Sequence, residues 1–95
     1  MENFVLIGIT KTDNSLIRNR VRMNGAFMIT DYSKGIQKVL APIEKAKKIL
    51  NELFPYHQLM KVHDSTPVYY FYTGSERVEI TESEFNQIAW TLNII

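Results

Sequence analysis

The chain has 95 residues, enough for one domain and too few for a second core. Hydrophobic residues make up 45% of it and charged residues 22%, which excludes a disordered tail and a coiled coil. The net charge is +1, whereas a dedicated nucleic-acid-binding protein is strongly basic. Any electrostatic binding surface therefore has to come from local clustering of charge within a single domain, residues 1–95.

Cysteine is absent, which removes disulfides, thiol catalysis and cysteine-ligated zinc. The first residues carry an early acid and too short an apolar run for a signal peptide, and no segment reaches membrane-spanning length. We therefore expect a cytoplasmic protein that does not bind a membrane.

The first predicted element is a buried strand over residues 4–10, followed by a polar turn at residues 11–14. In residues 16–23, Arg18, Arg20 and Arg22 alternate, so a strand here would place three of the four arginines on one face. Asn24-Gly25 predicts a type I′ hairpin turn, because both residues tolerate a positive φ.

The register of that hairpin assigns the side chains that follow to its two faces. Phe27 and Ile29 would join the arginine face, with Arg18 opposite Asp31. The other face, suited to a core, would hold three apolar side chains, those of Val21, Met23 and Met28.

A turn at residues 31–35 and a strand at residues 36–40 follow. Pro42 then marks the first turn of an amphipathic helix that ends before Pro55. Its apolar stripe consists of Ile43, Ala46, Ile49, Leu50, Leu53 and Phe54.

The C-terminal part predicts strands at residues 56–63, 68–72 and 77–80, the second of them densely aromatic. Thr81 and Glu84 match a capping box, so a last helix should begin there. Its inner stripe would be Phe85, Ile88, Ala89 and Leu92, with Trp90 and Ile94 off that stripe.

These elements predict an α+β fold around one core. Its parts are a small antiparallel sheet made of the N-terminal strands plus an aromatic hairpin, one covering amphipathic helix and a C-terminal capped helix.

The arginine row is the strongest functional feature of the sequence. Arginine mixed with apolar side chains is typical of interface hot spots and of nucleic-acid stacking surfaces. A solvent-facing strand with an ordinary Arg18–Asp31 pair would explain the same row without any function. Lys45 and Lys48 on the helix, and Trp90, are secondary binding candidates.

The sequence supports neither an enzyme nor a cofactor. Consecutive His63, Asp64 and Ser65 on extended chain point apart, whereas a catalytic triad has to converge. His57 and His63 would be too far apart to share a metal ion, and the glycines occur singly, so no phosphate-binding loop is present. We therefore expect no catalytic residue and no metal site.

The first hypothesis is a non-catalytic binding protein that engages an acidic protein surface through the basic hairpin, with Arg18, Arg20, Arg22, Phe27 and Ile29 in contact. A small phage or mobile-element inhibitor of a host protein would have this size. The second hypothesis is a nucleic-acid-binding module that uses the same row, with affinity that falls steeply with salt. The third is sequestration of a small nucleotide ligand by a homo-oligomer, because arginine also binds phosphate in a bidentate manner.

Overall fold

The computed structural model describes residues 3–63 and 65–93, which form two three-stranded antiparallel sheets and three α-helices. In chain order the elements are β1 (Phe4–Thr10), α1 (Ser15–Met23), β2 (Phe27–Asp31), β3 (Ile36–Pro42), α2 (Ala46–Leu53), β4 (Gln58–Val62), β5 (Val68–Tyr72), β6 (Arg77–Ile80) and α3 (Glu82–Leu92). The predicted α+β class is confirmed. None of the helices in these ranges combines the length and the apolar character that crossing a bilayer requires.

The two sheets differ in how their strands are connected. In the first sheet the order is β1-β3-β2, and both β1 and β2 run antiparallel to β3. They are therefore parallel to each other and are joined by a crossover through α1. In the second sheet the order is β4-β5-β6, which follows the chain.

Residues 16–23 form most of helix α1, so the predicted arginine strand is wrong. The Asn14 side chain accepts a hydrogen bond from the Ile17 backbone N–H at 3.0 Å, which is N-capping geometry. Arginine is a good helix former, and Ile17 and Val21 lie four residues apart, so they share the face that packs on the core. The alternation of three arginines, which indicated a strand, is a weaker signal than the N-cap, the helix propensity and this apolar spacing.

The predicted hairpin turn at Asn24-Gly25 is also wrong, because these residues end α1. The Asn24 backbone N–H donates to the Arg20 carbonyl oxygen at 3.2 Å, and Gly25 adopts a φ of +82°. Met23 is strongly exposed at this helix end instead of buried, whereas Val21 is buried and Met28 packs against the core as predicted.

The hairpin that does form joins β2 to β3. Its turn lies where the sequence predicted it: the Asp31 carboxylate accepts hydrogen bonds from Ser33 and Lys34, and Gly35 has a φ of +65°. Asp31 pairs with Ile36 across the strands, so the predicted Arg18–Asp31 pairing is wrong. Strand β3 continues to Pro42, two residues further than predicted.

Helix α2 begins later than predicted, after a 3₁₀ turn at Ile43–Lys45. Most of its predicted apolar stripe is confirmed, since Ala46, Ile49, Leu50, Leu53 and Phe54 are all buried, whereas Ile43 is half-buried in the 3₁₀ turn before the helix. The helix packs mainly on β1 and β3.

Helix α3 packs mainly on β1 and begins with the predicted capping box. Its most deeply buried side chains are Glu84, Ile88 and Thr91, while the predicted Phe85 and Leu92 pack at the margin of the core. The Thr91 hydroxyl donates to the Leu6 carbonyl oxygen at 3.3 Å, which allows a polar residue to be buried there. Ile94 lies outside the described residues.

The two sheets meet where β1 approaches β6. One carboxylate oxygen of Glu76 accepts hydrogen bonds from the Thr10 hydroxyl at 2.8 Å and from the Lys11 backbone N–H at 2.7 Å. Beside this contact, the rings of Phe54 and Phe71 pack edge to face with centroids 5.4 Å apart. These contacts hold both sheets around one core.

Candidate functional site

The three arginines of α1 do not form a row. At about 100° per residue, Arg18 and Arg22 share one side of the helix and Arg20 lies on the opposite side. The Arg20 guanidinium donates to the Glu52 backbone carbonyl oxygen at 3.1 Å, at the end of α2. The structure therefore brings together two of the predicted binding arginines and separates the third.

Arg18 and Arg22 differ in their partners. Arg18 forms an exposed ion pair with Asp13; this hydrogen bond lowers the pKa of Asp13 from its ordinary value and raises the pKa of Arg18. Arg22 donates to the Asn19 side-chain oxygen at 3.0 Å and pairs with no carboxylate among the described residues. Arg22 is thus the cation on this side with the most capacity for an external anion.

Both arginines lie beside β2, the last strand of the first sheet. With Phe27, they line a cavity of about 330 Å³ between α1 and the start of β2. In the parts of the chain that the structure describes, no strand pairs with the outer edge of β2. Alternate N–H and C=O groups of such an edge point away from the sheet.

The other face of β2 is apolar. Phe27 is 42% exposed and Ile29 is 48% exposed, and both point to the face of the sheet that carries Lys38 and α3. The predicted binding residues Phe27 and Ile29 are therefore accessible. Both side chains point to the face of β2 opposite α1, although Phe27, at the start of the strand, also lines the cavity that contains Arg18 and Arg22.

Phe4 extends this apolar surface toward α3. Its ring lies 5.0 Å from that of Phe27, and it lines a cavity of about 690 Å³ together with Ser83, Gln87 and Trp90. Trp90 is 51% exposed, a point that its position off the inner stripe had left open. Phe4 was missed from sequence because it begins a strand that reads as entirely core.

Lys45, Lys48 and the tyrosines of the second sheet contribute less to a binding surface than the residues around β2. Lys45 and Lys48 are exposed near the start of α2. In the second sheet, Phe71 is buried and Tyr70 faces outward beneath Arg77, whose guanidinium carbon lies 4.3 Å from the ring centre. Successive side chains of this aromatic strand thus alternate between the core and the outer face.

Residues 3–63 and 65–93 contain no group of three His, Cys, Asp or Glu side chains close enough together to hold a metal ion. His57 is engaged with the Phe54 carbonyl oxygen at 2.6 Å, and Asp64 lies outside the described residues.

The edge of β2, with α1 on one side and Phe27 and Ile29 on the other, is therefore the candidate site. Comparison of the chain with protein-family models, with characterised proteins and with solved structures finds no match.

Proposed function

We propose that this is a non-catalytic binding protein that docks an extended, acidic segment of another protein along the edge of β2. The observation that carries the proposal is the open edge itself, with an arginine pair on one side and exposed apolar side chains on the other. Strand addition of this kind takes its affinity from main-chain hydrogen bonds and its specificity from alternate side chains.

The sequence of β2 lacks the usual protection of an edge strand. Natural edges are blunted by lysine, proline, bulges or inward-pointing charge. Strand β2 reads Phe-Met-Ile-Thr-Asp, in which the one charge stands at the last position, beside the turn. Five residues give about 17 Å of edge, enough for a short peptide to pair along it.

The two sides of the edge specify what such a peptide carries. Its side chains would alternate between the apolar face, near Phe27 and Ile29, and the face covered by α1, near Arg18 and Arg22. Because Arg22 has no carboxylate partner among the described residues, a carboxylate at that point gains a charge-assisted hydrogen bond without displacing one. We therefore expect a segment in which acidic and apolar residues alternate.

The nucleic-acid hypothesis rested on a strand whose arginines would be spaced like phosphates. These residues form a helix instead, and its arginines point in two directions. The small inhibitor of phage or mobile-element origin, acting on a host protein in the cytoplasm, remains a setting compatible with a docking module of this size. Pairing of β2 with β2 of a second copy is the main competing use of the edge.

A screen of a random ten-residue peptide library displayed on phage tests the proposal. We expect enriched peptides with acids and apolar residues at alternate positions. Arg22→Glu and Ile29→Lys should each weaken binding of the best peptide about tenfold or more, and Lys47→Glu, on the outer side of α2, should leave it unchanged.

Three outcomes would overturn the proposal. The first is enrichment without the alternating pattern, and the second is peptide binding that both edge variants retain. The third is a monomer–dimer equilibrium that Ile29→Lys abolishes in the absence of any peptide binding, which would assign the edge to self-association. Salt-sensitive binding of single-stranded DNA in place of peptide would support the nucleic-acid hypothesis.

A further inference from the structure

A separate cavity of about 370 Å³ lies on the other side of α1, between the start of that helix, the end of α2 and the turn that joins β5 to β6. Its size falls in the range of small-molecule sites. The side chains that give it chemical character are Thr12, Asn14, Leu16, Arg20, Tyr56 and Ser75. It shares no lining residue with the cavity beside β2.

The charge in the lining of this cavity is positive. Among the described residues that line it, Arg20 is the one cation and none is acidic. The described contact of Arg20 is a single hydrogen bond to a backbone carbonyl oxygen, which leaves most of its five N–H donors for another group. Glu76, next to the lining turn, already accepts from Thr10 and from the Lys11 backbone. An anion entering the cavity would therefore meet the Arg20 cation, while the nearby Glu76 carboxylate is held by its hydrogen bonds with Thr10 and Lys11.

The rim of the cavity is apolar and unusually exposed. Tyr56 is 76% exposed and Leu16 is 70% exposed, although both are large hydrophobic side chains beside the buried Leu53 and Phe54. An exposed aromatic ring that lines the same cavity as an arginine offers a stacking surface for a flat ligand. The hydroxyl groups of Thr12 and Ser75 add hydrogen-bonding capacity between these groups.

We propose that this cavity binds a small aromatic monophosphate, of the class of nucleoside monophosphates. Arg20 would hold the phosphate through bidentate hydrogen bonds, and the ring of Tyr56 would stack on the base. A monophosphate fits better than a triphosphate because the lining supplies one cation and no carboxylates for a divalent metal. The inference is independent of peptide docking at β2.

Isothermal titration calorimetry with AMP, adenosine and inorganic phosphate tests it, on the full chain and on three variants. We expect saturable AMP binding, with adenosine and phosphate each at least about tenfold weaker. Arg20→Gln and Tyr56→Ala should each weaken AMP binding about tenfold or more, and Lys47→Gln should not. Tyr56→Ala keeps the test valid if Arg20→Gln alters the packing of α1 on α2, because Tyr56 is exposed.

Absence of saturable AMP binding would overturn the proposal, as would AMP binding that Arg20→Gln and Tyr56→Ala leave unchanged. Phosphate that binds as tightly as AMP would remove the role given to Tyr56 and overturn it as well.

Discussion

At the scale of single residues, Gly8 is the position where the absence of a side chain matters most. It lies in β1 at the irregularity in pairing with β3, and a Cβ added there would come within 2.7 Å of the Phe54 ring. The nearest ring atom of Phe71 would be 3.2 Å away. Both rings belong to the buried core, so neither can swing into solvent.

We expect Gly8→Ala to reduce the free energy of unfolding by about 1–3 kcal/mol through overpacking. Urea denaturation followed by circular dichroism measures this. Gly25→Ala is the matched control, since a Cβ there meets nothing within 4 Å and costs only the strain of a positive φ, about 1–2 kcal/mol. If overpacking is the cause, Phe54→Leu should recover part of the loss in Gly8→Ala and none in Gly25→Ala; equal behaviour of the two would contradict it.

At the scale of elements, Glu84 links the start of α3 to the first sheet. Its carboxylate accepts from the Thr81 backbone N–H at 2.8 Å and lies 3.1 Å from the Lys38 ammonium group. Burial opposes the charged form and would raise the pKa, but the hydrogen bonds from Thr81 and Lys38 outweigh it, so the pKa of Glu84 is lowered from its ordinary value of 4.5.

A lowered pKa in the folded state means that ionised Glu84 stabilises the fold above pH 4.5, and that this stabilisation is lost as the pH falls through the lower folded-state pKa. We therefore expect the free energy of unfolding to fall more steeply in the native chain than in Glu84→Gln as the pH drops below about 4.5, because Gln keeps an amide oxygen for the cap but does not titrate. Denaturant titrations at several pH values measure this. The lowered pKa values of Asp13 and Asp31 act in both proteins and cancel in the comparison, so parallel pH profiles would contradict the role of Glu84.

Helices α1 and α3 show what could be predicted from the sequence. The start of α3 was predictable because both partners of the capping box, Thr81 and Glu84, stand at a fixed spacing. In α1 the alternation of arginines suits a strand, whereas the spacing of Ile17 and Val21 in the same nine residues suits a helix. The N-cap Asn14 does not decide between them, because it stands among polar residues that are also typical of a turn. Asn24-Gly25 is equally ambiguous, because a positive φ serves both a hairpin and a helix end.

At the scale of the whole molecule, the choice between strand and helix for residues 16–23 decides the site. A strand would have placed the arginines on a sheet face with Phe27. The helix crosses over the sheet instead, which leaves β2 as an open edge and divides the arginines between two cavities. The candidate residues Arg18, Arg22, Phe27 and Ile29 were named from the sequence one by one, whereas their arrangement depends on long-range strand pairing that local patterns do not encode.

Glu76 links the two sheets, and no local pattern in the sequence singles it out. Its carboxylate, in the turn before β6, receives both the Thr10 hydroxyl and the Lys11 backbone N–H from the end of β1. Glu76→Ala would leave these donors without that acceptor, so we expect a loss of about 1–3 kcal/mol in the free energy of unfolding. Glu76→Gln keeps one carbonyl oxygen and should lose less. Hydrogen exchange followed by NMR would locate the effect: faster exchange at Lys11 and in β6 of Glu76→Ala supports the link, whereas unchanged exchange there would show that core packing alone joins the sheets.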